Sequence, residues 1–226
     1  MHAMKKTNIF WKAALALPFL TAALPSHPAA EPFPTDPAQL GAQIVAQGTK
    51  NGAVACARCH GFDGAAEGSG AFPKLAGQNA DYLENELRNY VSGDRKNALM
   101  QPIAKGLNDA ELKAVAQYYA AARANPSVPG AQPAALIARG QQLAKDGDSS
   151  INVLACETCH GLNGQGNAAI PYLAGQYRQY AALQFQMYRL GFRKSDLMAD
   201  PARSLREQDV EAVAAYYEQL PRTAPK

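Results

Sequence analysis

The sequence has no uninterrupted apolar run of the roughly 18–20 residues that a spanning helix needs, which excludes a multi-span membrane protein. It also has little net charge once the stretch Met1 to Ala30 is set aside. Of 22 Lys and Arg, Lys5, Lys6 and Lys12 fall in that acid-free stretch, so the rest of the chain sets its remaining 19 basic residues against 19 acidic ones. A balanced chain carries no basic footprint for nucleic acid. Cysteine and histidine are scarce, with four of each. What is present, 47% hydrophobic and 18% charged residues over 226 positions, suits one or two globular domains and not a disordered or fibrous chain.

The stretch from Met1 to Ala30 has the layout of an export signal. Lys5 and Lys6 form a positive head, Ala13 to Leu24 is a short apolar run, and Ser26 to Ala30 is small and contains proline. The expectation is a signal peptide over 1–30, cleaved after Ala30 although Pro28 makes the site imperfect. An uncleaved anchor is the competing reading, but Lys12 interrupts the apolar stretch and Ala13 to Leu24 alone is too short to span.

Beyond that point the chain repeats itself. Cys56-Ala57-Arg58-Cys59-His60-Gly61 returns as Cys156-Glu157-Thr158-Cys159-His160-Gly161, at an offset of 100. Pro73-Lys74-Leu75-Ala76-Gly77-Gln78 returns as Pro171-Tyr172-Leu173-Ala174-Gly175-Gln176, at an offset of 98. Gly93-Asp94-Arg95-Lys96 answers to Gly191-Phe192-Arg193-Lys194, Leu99-Met100 to Leu197-Met198, and Tyr118-Tyr119 to Tyr216-Tyr217. Two related domains follow, 31–127 and 128–226, with the uncharged Asn125-Pro126-Ser127-Val128-Pro129-Gly130 as the linker.

Each repeat reads as helical. Asp36 followed by Pro37 predicts a cap and first turn ahead of Leu40, Ile44 and Val45, and a matching helix follows Pro133 with Leu136, Ile137 and Leu143. Asn79 can cap a helix carrying Leu83 and Leu87. Asn108 and Glu111 have the spacing of a capping box for a helix with Leu112, Val115 and Tyr119 on one face, whose counterpart carries Val210, Val213 and Tyr217. The segments between are rich in Gly and Pro and lack alternating β-branched runs, so the fold class is all-α with long loops.

All the cysteines lie in the two Cys-x-x-Cys-His motifs. The spacing suits two thioethers from Cys56 and Cys59, and again from Cys156 and Cys159, to one haem each, with His60 and His160 as iron ligands. Export fits, because this attachment takes place outside the cytoplasm. A thioredoxin-like pair would not need the histidine and expects a βαβ context. A zinc ribbon needs its two pairs close together, and a disulfide between the pairs suits an oxidising compartment.

The sixth ligand is limited by counting. His2 and His27 fall in the signal region, so outside the two motifs no histidine and no cysteine remains in the rest of the chain. Met100 and Met198 occupy equivalent places behind His60 and His160, in what read as loops before the last helix of each repeat. They are the expected axial ligands, whereas Met187 aligns with Asn89 and reads as packing. A thioether favours ferrous iron and raises the potential. Two protein ligands leave no open position for substrate, which favours electron transfer over catalysis.

These residues together resemble the dihaem cytochromes c of the cytochrome c4 type, built from two class I cytochrome c domains. The resemblance rests on Cys-x-x-Cys-His-Gly, Pro-x-Leu-Ala-Gly-Gln, Gly-x-Arg-Lys, the methionine segment and the Tyr-Tyr helix, each present twice. It implies an all-α tandem repeat, each domain wrapped around one covalent haem c. It implies a periplasmic carrier of single electrons between a donor complex and a terminal oxidase or other acceptor, with peripheral membrane association open. It implies that the carbonyls of Pro73 and Pro171 accept the His N–H, and makes Arg95 and Arg193 candidates for pairing with haem propionates. The same fold resembles the cytochrome subunit of a dehydrogenase complex, such as a flavoprotein sulfide dehydrogenase. A dihaem peroxidase or thiosulfate dehydrogenase would need an open or differently ligated haem. One charge asymmetry remains. Ala80–Asn108 has four basic and four acidic residues, and Arg178–Arg206 has six against two. The expectation is a higher potential for the second haem.

Overall fold

The computed structural model describes residues 36–123 and 129–222. The 1–30 signal region and the 127/128 domain boundary lie outside those residues. Within them the chain is helical. The pairings of extended backbone are three isolated antiparallel bridges, Arg95 with Arg193, Asp148 with Val153, and Asn167 with Ile170. No described helix is long and apolar enough to cross a membrane.

The first repeat has five helices: α1 (Pro37–Gln47), α2 (Ala57–His60), α3 (Ala80–Ser92), α4 (Met100–Lys105) and α5 (Asp109–Ala121). The second repeats them as α6 (Ala134–Lys145), α7 (Glu157–His160), α8 (Arg178–Arg189), α9 (Asp196–Ser204) and α10 (Glu207–Gln219). Asp36 caps α1 by accepting from the Gln39 N–H at 3.2 Å, with Pro37 in the first turn. Asn108 and Glu111 form the reciprocal box at α5, at 3.0 and 2.7 Å.

Two local expectations change. Asn79 precedes α3, but its side chain makes no capping bond and instead donates to the Ile170 carbonyl at 2.8 Å in the other repeat. The methionine segments are helical starts, not loops. Asn97 Oδ1 accepts from the N–H groups of Leu99 and Met100, both at 2.9 Å, and Ser195 Oγ accepts from Met198 N–H at 3.2 Å. Each cap satisfies donors that a helix start would otherwise leave unpaired.

In each domain the first helix crosses the last. Ile44 and Val45 of α1 are fully buried against Leu112, Val115 and Tyr119 of α5. Leu143 and Ala144 of α6 do the same with Val210, Val213 and Tyr217 of α10. Each large side chain of this kind contributes about 1.5–3 kcal/mol when taken from water. The crossing is close because Gly41 and Gly140 lack a side chain. A Cβ on Gly41 would sit 2.5 Å from the Ala114 carbonyl oxygen, and one on Gly140 would sit 2.1 Å from that of Ala212.

Candidate functional site

Each Cys-x-x-Cys-His motif folds as one helical turn. His60 N–H donates to the Cys56 carbonyl at 3.0 Å, and His160 N–H to that of Cys156 at 2.9 Å. The turn must stop at once for the chain to leave, and the next residue does so in a backbone region that favours glycine, Gly61 at φ 73° and Gly161 at φ 72°. None of the four thiols is in a disulfide. Burial pushes the Cys56 and Cys156 thiols up to about 11, so both are protonated SH groups at neutral pH.

Both histidines are buried, at 7% and 8% exposure. His60 Nδ1 lies 3.2 Å from the Pro73 carbonyl, and His160 Nδ1 lies 3.0 Å from that of Pro171. A carbonyl can only accept, so Nδ1 carries the proton and Nε2 keeps its lone pair. Burial, partly offset by that carbonyl, holds both imidazoles below their ordinary pKa. A neutral ring with a fixed tautomer is what a metal-ligating histidine requires. The ring of His60 is also walled edge-on by Phe72 and Tyr119, at centroid distances of 6.0 and 6.4 Å.

Met100 opens α4 and Met198 lies in the first turn of α9, both half-buried. Met187 is on α8, half-buried, and its carbonyl accepts the Arg193 N–H at 3.0 Å. Among the described residues no three His, Cys, Asp or Glu side chains group as a metal-ion site. The paired thiols and the oriented imidazole in each domain fit a covalent haem in each.

The two domains meet along equivalent segments. Arg95 donates to Glu86, Tyr180 and Gln184 at 2.5, 2.7 and 2.8 Å. Arg193 donates to Gln184 and Tyr82 at 3.0 and 2.8 Å and pairs with Glu86 at 2.9 Å. Both arginines are therefore held by protein groups across the domain boundary. Gln78 and Gln176, part of the repeated motif but given no role by the sequence, form a second set of bonds there. Gln78 Nε2 donates to the Tyr172 carbonyl at 2.9 Å, and Gln176 Nε2 to the Lys74 carbonyl at 3.0 Å. Their repetition with the rest of the Pro-x-Leu-Ala-Gly-Gln motif is the signal that could have marked them.

Comparison with known proteins agrees with this geometry. The cytochrome c family model matches residues 38–121 and again 137–221. A protein of Stutzerimonas stutzeri (strain A1501) named thiosulfate dehydrogenase electron acceptor is 40% identical over 182 residues, 78% of this chain and 84% of the relative. Reduced recombinant cytochrome c4 from Pseudomonas stutzeri superposes with a TM-score of 0.70 at 33% identity, over 81% of this chain and 98% of that one. The thiosulfate dehydrogenase (TsdBA) from Marichromatium purpuratum, as isolated, gives a TM-score of 0.72 at 33% identity over 80% of this chain; this chain spans only 40% of that longer protein. With two matched domains, a haem-binding donor set in each and likeness to cytochrome c4 over nearly all of that protein, the chain belongs to the cytochrome c family, as an electron-transfer protein of the cytochrome c4 type with two covalent haem c groups.

Proposed function

We propose that the chain is a periplasmic carrier passing single electrons from a respiratory donor to a terminal acceptor such as an oxidase. In this reading Cys56 and Cys59 anchor the first haem, and Cys156 and Cys159 the second. His60 with Met100, and His160 with Met198, ligate the irons. The export signal over 1–30 and the domains 31–127 and 128–226 belong to the same reading. Bound haem supplies a one-electron iron couple. The chain's part would be to hold each imidazole through a proline carbonyl and to supply a methionine thioether as the other protein ligand. It also excludes water from the histidines by burial. The observation that carries the proposal is the twice-repeated His–Pro bond at 3.2 and 3.0 Å behind a Cys-x-x-Cys turn.

A second reading is favoured by two relatives that share one name. Both are named thiosulfate dehydrogenase electron acceptor, and one is 40% identical to this chain. By this reading the donor is a dehydrogenase of a reduced sulfur compound, and the chain is its acceptor rather than the enzyme.

Mass spectrometry of the denatured periplasmic protein tests the first part. The expected mass is the chain from Glu31 plus two haems, falling by one haem in C56S/C59S and by the other in C156S/C159S. A full complement in either variant would overturn the attachment sites. Anaerobic mixing of the oxidised protein with a thiosulfate dehydrogenase and thiosulfate separates the two readings. Fast reduction supports the acceptor role. Reduction only by a respiratory complex supports the general carrier.

A further inference from the structure

The domain interface is built from matched residues, and the match fails at one charged position. With an offset of 98, Tyr82 answers to Tyr180, Tyr90 to Tyr188 and Arg95 to Arg193. Each pair does the same work from both sides. Arg95 reaches the Tyr180 hydroxyl at 2.7 Å, and Arg193 reaches that of Tyr82 at 2.8 Å. Each guanidinium also lies over its own domain's tyrosine ring, Tyr90 or Tyr188, at 4.7 Å. Glu86, however, answers to Gln184.

The consequence is an odd charge count in a buried place. The side chains of Arg95, Arg193 and Glu86 are only 8%, 5% and 14% exposed. Glu86 offers one oxygen to each guanidinium, at 2.5 and 2.9 Å. Gln184 Oε1 also accepts from both, at 2.8 and 3.0 Å, but contributes no charge. Burial opposes ionisation of Glu86, yet the two guanidiniums outweigh it and hold the carboxyl below its usual range. The cluster thus keeps one net positive charge on the boundary between the domains.

We propose that Glu86 is a positioning residue for the redox reaction. It is the single carboxylate shared by Arg95 and Arg193, fixes the net charge of this three-residue cluster at one positive and so sets the potentials of both haems together. Oxidised haem carries one more positive charge than reduced haem, so a nearby buried cation favours the reduced form. Its burial keeps salt from screening it as it would screen a surface charge. Its place on the boundary gives the effect the same sign in both domains. Two carboxylates would cancel the charge, and two amides would double it. The inference rests on one haem being held in each domain.

Redox titration of the intact dihaem protein, with haem content read first by mass, tests this. In Glu86→Gln both midpoint potentials are expected to rise, moving the reduced-to-oxidised ratio of each haem at fixed applied potential by about threefold or more. In Gln184→Glu both should fall. The exchange variant E86Q/Q184E keeps charge and volume and should return the mean of the two potentials to its starting value. The shifts should persist at high salt. Because Glu86→Gln could weaken the interface, Gln184→Glu, which keeps the oxygen that accepts from both guanidiniums and exchanges the amide NH2 for a second, charged carboxylate oxygen, carries the test independently. Unmoved potentials in proteins with two haems, or movement of one haem alone, would overturn the role of Glu86. A starting protein with fewer than two haems would instead overturn the haem assignment beneath it.

Discussion

Gln78 makes with Tyr172 the same two bonds that Gln176 makes with Lys74. Gln78 Oε1 accepts the Tyr172 N–H at 2.8 Å while its Nε2 donates to the Tyr172 carbonyl at 2.9 Å. Gln176 does both to Lys74 at 3.0 Å. Each side-chain amide thus pairs with the backbone of the other domain like a strand of one residue. Each also accepts the N–H that follows it, Asn79 or Tyr177, at 3.0 Å, at the start of α3 or α8. The clamps are buried, with the glutamines at 4% and 8% exposure.

Removing a clamp leaves buried backbone groups without partners. Gln78→Ala or Gln176→Ala should cost about 2–3 kcal/mol at the interface, from stranded polar groups at about 1–3 kcal/mol each. The expected outcome in denaturant is a single transition that splits into two as the domains uncouple. A transition that stays single, at an unchanged midpoint, would show that the clamps do not hold the domains together.

The fold is legible in the sequence where a pattern is local. The Asp36 cap, the Asn108–Glu111 box and the buried faces of α1, α5, α6 and α10 are all as periodicity and capping chemistry predict. The proline carbonyls, implied by family resemblance, lie at the histidines. Pairing over long distances is what a sequence conceals. The six basic residues of Arg178–Arg206 look like an unbalanced field. In the structure Arg178 pairs with Glu211, Arg189 with Glu207, Arg193 with Glu86, Lys194 with Asp94, Arg203 with Asp200 and Arg206 with Asp209. All but one of those carboxylates lie outside the counted span, two of them in the other domain. These pairs offset most of the excess, and the one positive charge left over, shared by Arg95, Arg193 and Glu86, lies on the boundary between the domains and not in the second domain alone. The roles of Glu86 and Gln78 are hidden for the same cause: each acts on partners far along the chain, in the other domain.

Iron ligation by Met100 and Met198 has a spectroscopic consequence. Ferric haem with a thioether ligand shows a weak sulfur-to-iron band in the far red, so Met100→Ala and Met198→Ala should each remove about half of it. Met187→Ala should leave it intact, because Met187 sits on α8 with no repeat partner. Loss of the band in Met187→Ala would reassign the ligand.

The helix crossings give a prediction in which two effects compete. Gly→Ala inside a helix normally stabilises by about 1 kcal/mol. At Gly140 the added Cβ would meet the Ala212 oxygen at 2.1 Å and Tyr216 Cβ at 2.7 Å, and neither can yield without parting α6 from α10. Overpacking of this kind costs about 1–3 kcal/mol or more. The clash should win, and Gly140→Ala should lower the midpoint of unfolding by a net loss of about 1–2 kcal/mol. The contact at Gly41 is looser, 2.5 Å, so Gly41→Ala should lose less. An unchanged or raised midpoint in Gly140→Ala would mean that the crossing can relax.

The two final helices open differently, and acid should tell them apart. At α10 the residue matching Asn108 is Arg206, which has no acceptor to cap with. It donates through Nε to Asp209 at 2.8 Å, while Arg139 of α6 donates to the other oxygen at 2.8 Å. Asp209 is fully buried. Burial pushes its pKa up, but the hydrogen bonds from Arg206 and Arg139 outweigh this and hold the carboxyl below its ordinary 3.8. A carboxylate whose folded pKa is depressed stabilises the fold above its unfolded pKa, near about 3.9, and loses that contribution as pH falls through the folded value. Breaking a buried pair costs about 3–5 kcal/mol; because Arg139 and Arg206 are partly exposed, about 2–3 kcal/mol is expected here. Asp209→Asn should therefore be destabilised by that amount at pH 7, and its deficit should shrink as the pH is lowered below about 4. Denaturant unfolding from neutral pH down to about pH 2.5 measures it. A deficit independent of pH would assign the loss to packing or hydrogen-bond geometry rather than to the charge of Asp209.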